Sequence, residues 1–243
     1  MLKVLLTKLR RVVSVVHFGL LTLRYAGLRF ALRKLAHQLY SRTVFLYSEG
    51  DINISPPPPR FLSITVRATE EDVQEIFNQM NNESNAGKYD LLIRKWYHER
   101  GIGTPYVQKT TDTNEVCSIR WVMTARDIEN AGLQNRYPEL KEDEMMFENT
   151  YVLERFRDKG IHSSSNMGEL MAGLGFKRSK AFIAENNIPQ LHYMRRRDRR
   201  VYARVMEHHF LFRVTRKTLE RYNPPIIPEI PEGKASSSVN YLL

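Results

Sequence analysis

The chain has 243 residues, 42% of them hydrophobic, which is enough to bury one substantial core with appendages and too apolar for a disordered chain. Its single cysteine, Cys117, excludes an internal disulfide and any cysteine-rich zinc pattern, and fits a reducing compartment. The formal net charge of +10 is uneven: residues 1–48 hold nine Lys and Arg and no acid, leaving 28 basic side chains to face 27 acidic ones in the rest, which argues against nucleic acid as a partner of the main domain.

Residues 1–40 contain no proline and are dominated by Leu, Val, Ala, Arg and Lys, which predicts helix. The longest stretch without a formal charge, Val12 to Leu23, has 12 residues, short of the roughly 20 needed to span a bilayer. It lacks the small-residue cleavage site of a signal peptide. Residues 1–48 therefore read as a basic amphipathic helical extension. It could lie on a membrane surface with its Lys and Arg near anionic headgroups, dock on this domain, a second copy or a partner, or simply pack as an extension. The complete absence of acid tilts the reading toward the membrane surface. Residues 49–60, with four consecutive prolines from Pro56 to Pro59, read as a stiff linker.

From Phe61 the pattern becomes that of a folded domain over 61–221. Leu62, Ile64 and Val66 alternate with Ser63, Thr65 and Arg67, as in a half-buried strand. Thr69-Glu70-Glu71-Asp72 opens a helix with Thr69 as its N-cap, and Val73, Ile76, Phe77 and Met80 recur at helical spacing. Lys88 to Arg100 is a second predicted helix. Thr104 to Thr110 and Val116 to Thr124 are paired strands around a turn at Thr111 to Asn114. Arg126 to Glu142 reads as an irregular loop at the edge of a substrate site. Met145 to Arg155 is a strand, Ser163 begins a helix, Lys180 to Glu185 is a short strand, Asn186 to Pro189 opens a further helix, and Val201 to Val214 contains a strand or hairpin. Residues 222–243, with prolines and serines, read as a mobile tail. His208-His209 on a strand point to opposite faces and make a poor metal site. No metal is expected.

The segment Arg157-Asp158-Lys159-Gly160-Ile161-His162-Ser163 lies between a predicted strand and a predicted helix. Such a turn offers successive backbone N–H groups suited to a pyrophosphate, and Gly160 permits close approach. Together with Tyr151-Val152-Leu153-Glu154-Arg155-Phe156 before it, the segment resembles the acetyl-CoA-binding motif of the GNAT superfamily of acyl-CoA-dependent N-acyltransferases. Ala181 to Pro189 is similar to the later strand of that family, which ends in Asn and runs into a helix, and Ile64 to Asp72 is similar to its opening strand and first helix. The resemblance covers about 160 residues, with its specific part confined to about 40.

The resemblance implies a mixed α/β (α+β) fold, with a central mixed, mostly antiparallel twisted sheet flanked by helices. It implies that acetyl-CoA or another acyl-CoA serves as co-substrate. Backbone N–H groups of Asp158, Lys159, Gly160, Ile161, His162 and Ser163 would hold its pyrophosphate, with Arg157 and Lys159 adding positive charge. Main chain at Tyr151, Val152 and Leu153 would align the pantetheine, and Asn187, or Asn186, would sit near the cofactor. Catalysis would be direct attack of a neutral amine on the thioester, with Glu148 as base and Tyr193 as acid for the departing thiolate. His162 stands where the family prefers Gly or Ala, and five Arg around Asp198 replace its usual Gly-Phe. The expected function is a bacterial-style N-acyltransferase acting on a small-molecule or sugar amine, with room for an oligomer. Its expected location is the cytoplasm, at the inner face of the plasma membrane if residues 1–48 meet lipid. The alternative is an inactive GNAT-like adaptor that binds CoA or a partner.

Overall fold

The basic, proline-free sequence forms helix α1 (Leu28–Leu39), and the aromatic and β-branched run behind it forms strand β1 (Tyr40–Asp51). The computed structural model describes residues 19–20, 22–24, 27–52, 62–134, 136–161, 165–210 and 213–228. The helix expected over 1–18 and the four-proline run lie outside the described residues. The helical extension predicted over 1–48 is corrected here: residues 40–48 are strand, and Glu49 to Asp51, expected in the linker, continue it. Tyr40, Thr43, Val44, Phe45 and Tyr47 favour a pleated backbone. Phe45 and Leu46 are both buried although neighbours on a strand face opposite ways, so β1 is covered on two sides and shows no alternation.

The chain continues through β2 (Ser63–Arg67), α2 (Glu70–Met80), α3 (Asn85–Glu99), β3 (Thr104–Thr110), β4 (Val116–Met123), α4 (Ala125–Asn130) and β5 (Glu144–Val152). It ends through α5 (Met167–Gly173), β6 (Arg178–Ala184), α6 (Ile188–Arg196), β7 (Arg200–Phe210) and β8 (Arg213–Ile226). Helix α2 starts where its sequence says. The Thr69 hydroxyl accepts from the Asp72 N–H at 3.2 Å, and the Asp72 carboxylate accepts from the Thr69 N–H at 3.1 Å. Its apolar stripe Val73, Ile76, Phe77 and Met80 is buried against the sheet. Helix α4 interrupts the loop expected to be irregular. It is closed by the same reciprocal device at Thr124 and Asp127.

One eight-stranded sheet carries the fold, in the order β2-β3-β4-β5-β6-β1-β7-β8. Every neighbouring pair is antiparallel except β5 and β6. Strand β1 lies between β6 and β7, with Phe45 opposite Ala184 on one side and Val205 on the other. One face carries α2 and α3 over Ile119, Trp121 and Met146. On the other, α5 covers Val122 and Met145 while α6 covers Leu46, Ile183 and Val201. The mobile tail expected over 222–243 is also corrected: residues 222–226 belong to β8, with Ile226 opposite Val201. Pro224 and Pro225 are tolerated because β8 is an edge strand. Residues 229–243 lie outside the described residues.

The alternation read at β2 holds only in part. Ile64 is exposed and Thr65 is buried, because Ser165 and Asn166 cover Thr65.

Candidate functional site

Strands β5 and β6 pair only through Glu144↔Arg178, Met145↔Ser179 and Met146↔Lys180. Beyond those rungs β5 runs on to Val152 beside β4, and β6 runs on to Ala184 beside β1, so a wedge opens between them. Strand β5 also bulges there. Glu148 faces Trp121 and Tyr151 faces Ile119, which leaves Asn149 and Thr150 over Arg120, with Asn149 at φ 50°. Buried Arg94 on α3 holds the bulge: its Nε donates to the Asn149 carbonyl and its Nη2 to the Thr150 carbonyl, both at 3.1 Å. Its Nη1 donates to the Asp90 carbonyl at 2.8 Å.

Glu148 points to the α3 face. The Tyr137 hydroxyl donates to its Oε1 at 3.4 Å, and the Tyr97 and Tyr137 hydroxyls are in close contact. Glu148 keeps some contact with solvent, but its carboxyl lies deep in the protein. That desolvation lifts its pKa from 4.5 to about 7, against the opposing pull of Arg136, the Tyr137 hydrogen bond, Arg94 and Arg216. Burial, then the Glu148 charge, push Tyr97 up to about 12 and raise Tyr137 as well. From Tyr137 a row of rings continues through Phe182 at 5.6 Å to Tyr47 at 6.1 Å and Tyr202 at 6.3 Å. This places an aromatic wall beside Glu148.

Phe147, the preceding residue, faces the other way into a pocket between α5 and α6 that Tyr193, Arg120, Arg197 and Arg199 also line. Tyr193 lies close enough to Arg120 and Arg199 to act on both charges. Glu148 and Tyr193 therefore stand on opposite sides of β5, next to the wedge.

Past Val152 the chain makes a short 3-10 turn at Glu154–Phe156 and enters the loop expected to hold pyrophosphate. Asp158 (φ 61°) and Gly160 (φ 76°) adopt left-handed backbone. The N–H groups of Asp158 and Lys159 have no partner among the described residues. Arg157 turns back on the strand, its Nε donating to the Val152 carbonyl at 3.2 Å and its Nη2 to the Tyr151 hydroxyl at 3.1 Å. The Ile161 carbonyl accepts from Gln108 Nε2 at 2.9 Å. His162 and Ser163 lie outside the described residues. The helix expected from Ser163 begins at Met167, because Asn166 and Ser165 hydrogen-bond Thr65 of β2. Asn187 caps α6, its Oδ1 accepting from the Gln190 N–H at 3.3 Å. Buried Cys117 donates its thiol to the Gln108 carbonyl, and burial pushes its pKa up to about 11. Among the described residues no group of three His, Cys, Asp or Glu could hold a metal ion.

No protein-family model matches the chain, and no curated protein matches it. Its structure is similar to the GCN5-related glucosamine N-acetyltransferase region of a fungal multi-domain GH3 β-N-acetylglucosaminidase. The TM-score is 0.52 at 13% identity, covering 75% of this chain and 23% of that one. The fold is that of the GCN5-related N-acetyltransferases. The chain spans less than a quarter of the fungal protein's length. A GNAT acetyltransferase from Colwellia psychrerythraea aligns with TM-score 0.47 and 10% identity over 74% of this chain and 62% of that one. A GCN5-related N-acetyltransferase from Sphaerobacter thermophilus aligns with TM-score 0.43 and 13% identity over 80% and 57%. The GNAT-like mixed sheet expected from the sequence is thus the sheet observed.

Sequence reasoning missed Arg94, Tyr97, Tyr137 and Arg120 beside the wedge, whereas Arg199 belongs to the basic run around Asp198 that the sequence offers as an anion contact. Of those missed, only Arg94 left a readable signal. It sits three residues after Leu91 and three before Tyr97, on the buried stripe of α3, where a charge requires buried partners.

Proposed function

We propose that the chain is an acyl-CoA-dependent N-acyltransferase, in the simplest case an N-acetyltransferase, acting on a small-molecule or sugar amine. One observation carries this reading: a wedge between two parallel strands of a GNAT fold opens beside a carboxyl whose pKa is lifted to about 7. A base poised near neutrality can take a proton from an ammonium or amine without being protonated itself for most of the time.

The residues present fit the co-substrate. Strand β5 beyond Met146 leaves its β6-facing edge open to a pantetheine arm, and the N–H groups of Asp158 and Lys159, without a partner among the described residues, suit a pyrophosphate. Asn187 is committed to its helix cap, so it acts by shaping the wedge rather than by touching the thioester. Glu148 receives the proton as the amine nitrogen bonds to the acyl carbon and the carbon–sulfur bond breaks. Tyr193 supplies a proton to the leaving thiolate. The aromatic wall from Tyr137 to Tyr202 would take the apolar side of the acceptor. Saturable binding of acetyl-CoA supports this reading, and its absence would favour an interaction-only domain.

The N-terminal region adds a location. No helix among the described residues is long and apolar enough to cross a membrane. Helix α1 exposes Leu28, Leu32, Leu35 and Leu39, a stripe at helical spacing flanked by exposed Arg29 and Arg33. With nine basic and no acidic residues over 1–48, this matches the surface of an anionic bilayer. The expected result is sedimentation with phosphatidylglycerol vesicles that weakens in high salt and is lost in Leu32→Asp/Leu35→Asp. Equal behaviour with neutral vesicles, or no change in the double variant, would remove the membrane role.

A further inference from the structure

The pocket across β5 from Glu148 is built around fixed positive charge. Arg120 on β4 is 7% exposed, Arg199 follows α6, and Arg197 is the C-cap of α6. A guanidinium cannot shed its proton in a protein, so these charges persist at every working pH. Arg199 donates Nη1 and Nη2 to the hydroxyl and carbonyl of Ser179 at 2.6 and 2.8 Å, while its Nε–H is buried with no hydrogen-bond partner among the described residues. A buried donor on a cation is costly to leave unfilled, and an anionic acceptor would remove that cost. Asp51 also lines the pocket, but its side chain is 88% exposed and pairs with Arg178 at 3.5 Å. Glu49 acts on Arg199 only through space.

The position of the pocket matters as much as its charge. Met145 and Ser179, which line it, form the middle of the three rungs that close the wedge. Phe147 forms its wall and is chain neighbour to Glu148. A pantetheine laid along the open edge of β5 from the Gly160 turn toward Met146 would direct its acyl end to this closed end. An acetyl group is too short and too neutral to use the guanidinium groups there.

We propose that the transferred acyl group carries a terminal carboxylate, so that the preferred donor is a short dicarboxylic acyl thioester such as succinyl-CoA. This rests on the acyltransferase reading and names its donor. The reaction balances as before. The amide bond forms as the thioester carbon–sulfur bond breaks, the amine proton passes to Glu148, and CoA leaves as the thiol. The distal carboxylate remains unchanged, held by Arg120 and Arg199 with Arg197 at the rim.

Calorimetric titration of the full chain with succinyl-CoA, butyryl-CoA and CoA tests the proposal. Butyryl-CoA has nearly the same length without the charge. Succinyl-CoA is expected to bind at least about tenfold more tightly than butyryl-CoA. Arg120→Gln should collapse that ratio toward one. Arg197→Gln, at the partly exposed C-cap of α6, should lower it about threefold. If CoA and butyryl-CoA bind and succinyl-CoA binds no better, the dicarboxylic donor is wrong and the acyltransferase reading stands. If none of the three binds to folded protein, both fall.

Discussion

Glu148→Gln is expected to lower turnover by about a hundredfold or more, the usual contribution of a positioned general base. The pH profile carries the more specific expectation. The carboxyl accepts a proton only when ionised, so the wild-type rate should rise with pH through about 7, the value to which desolvation lifts Glu148. In Glu148→Gln that rise should disappear. Tyr193→Phe should slow the reaction and leave the rise in place. Stability runs in the opposite sense. The folded protein holds the Glu148 proton more tightly than the unfolded chain does. Its stabilising contribution is therefore fully present below the ordinary value of 4.5 and is lost as pH rises through about 7. At pH 8 the glutamine variant should consequently melt no lower than the wild type. A variant with lower melting temperature and an unaltered pH profile would clear Glu148 of the catalytic role.

Arg94→Met should destabilise the fold by about 3 kcal/mol or more, because it leaves the partners of a buried charge unsatisfied. Arg94 is 5% exposed and donates to three main-chain carbonyls, those of Asp90, Asn149 and Thr150. The last two form the bulge that follows Glu148. A linear apolar side chain keeps the buried stem but stops short of the guanidinium and offers none of these donors, so the cost is mainly lost hydrogen bonding. Urea unfolding should show a lower midpoint with little change in slope. Arg94→Lys keeps the charge without the fork and should recover only part of the loss. A full recovery would mean that charge alone, set against Asp90, holds the bulge.

The fold was legible wherever local rules act alone. Thr69 with Asp72 announced α2, and Val73, Ile76, Phe77 and Met80 gave its buried face in the correct register. The strand before Gly160 and the helix after Asn187 were also readable. Strand β1 was not, because its two neighbours lie about 130 and 160 residues away in the chain and bury both of its faces. Helix α4 could have been found from Thr124 and Asp127, which carry the same signal as Thr69 and Asp72. At the proposed site, the position of Glu148 on the strand before the predicted loop was legible. Of its neighbours only Arg94 left a signal, through its place on the buried stripe of α3. Tyr97, Tyr137 and Arg94 come from two other segments, and only the folded sheet brings them to the bulge. Of the pocket arginines, Arg120 lay hidden in a buried strand, while Arg197 and Arg199 stand in the basic run around Asp198, which reads either as an anion contact or as a solvated face.

Calorimetric titration of the folded chain with acetyl-CoA and CoA tests the central claim most directly. Both should bind saturably. Gly160→Glu, which puts an acid at the turn of φ 76° proposed to hold the pyrophosphate, should weaken them together. No heat of binding at millimolar CoA from a folded sample would contradict the acyltransferase account.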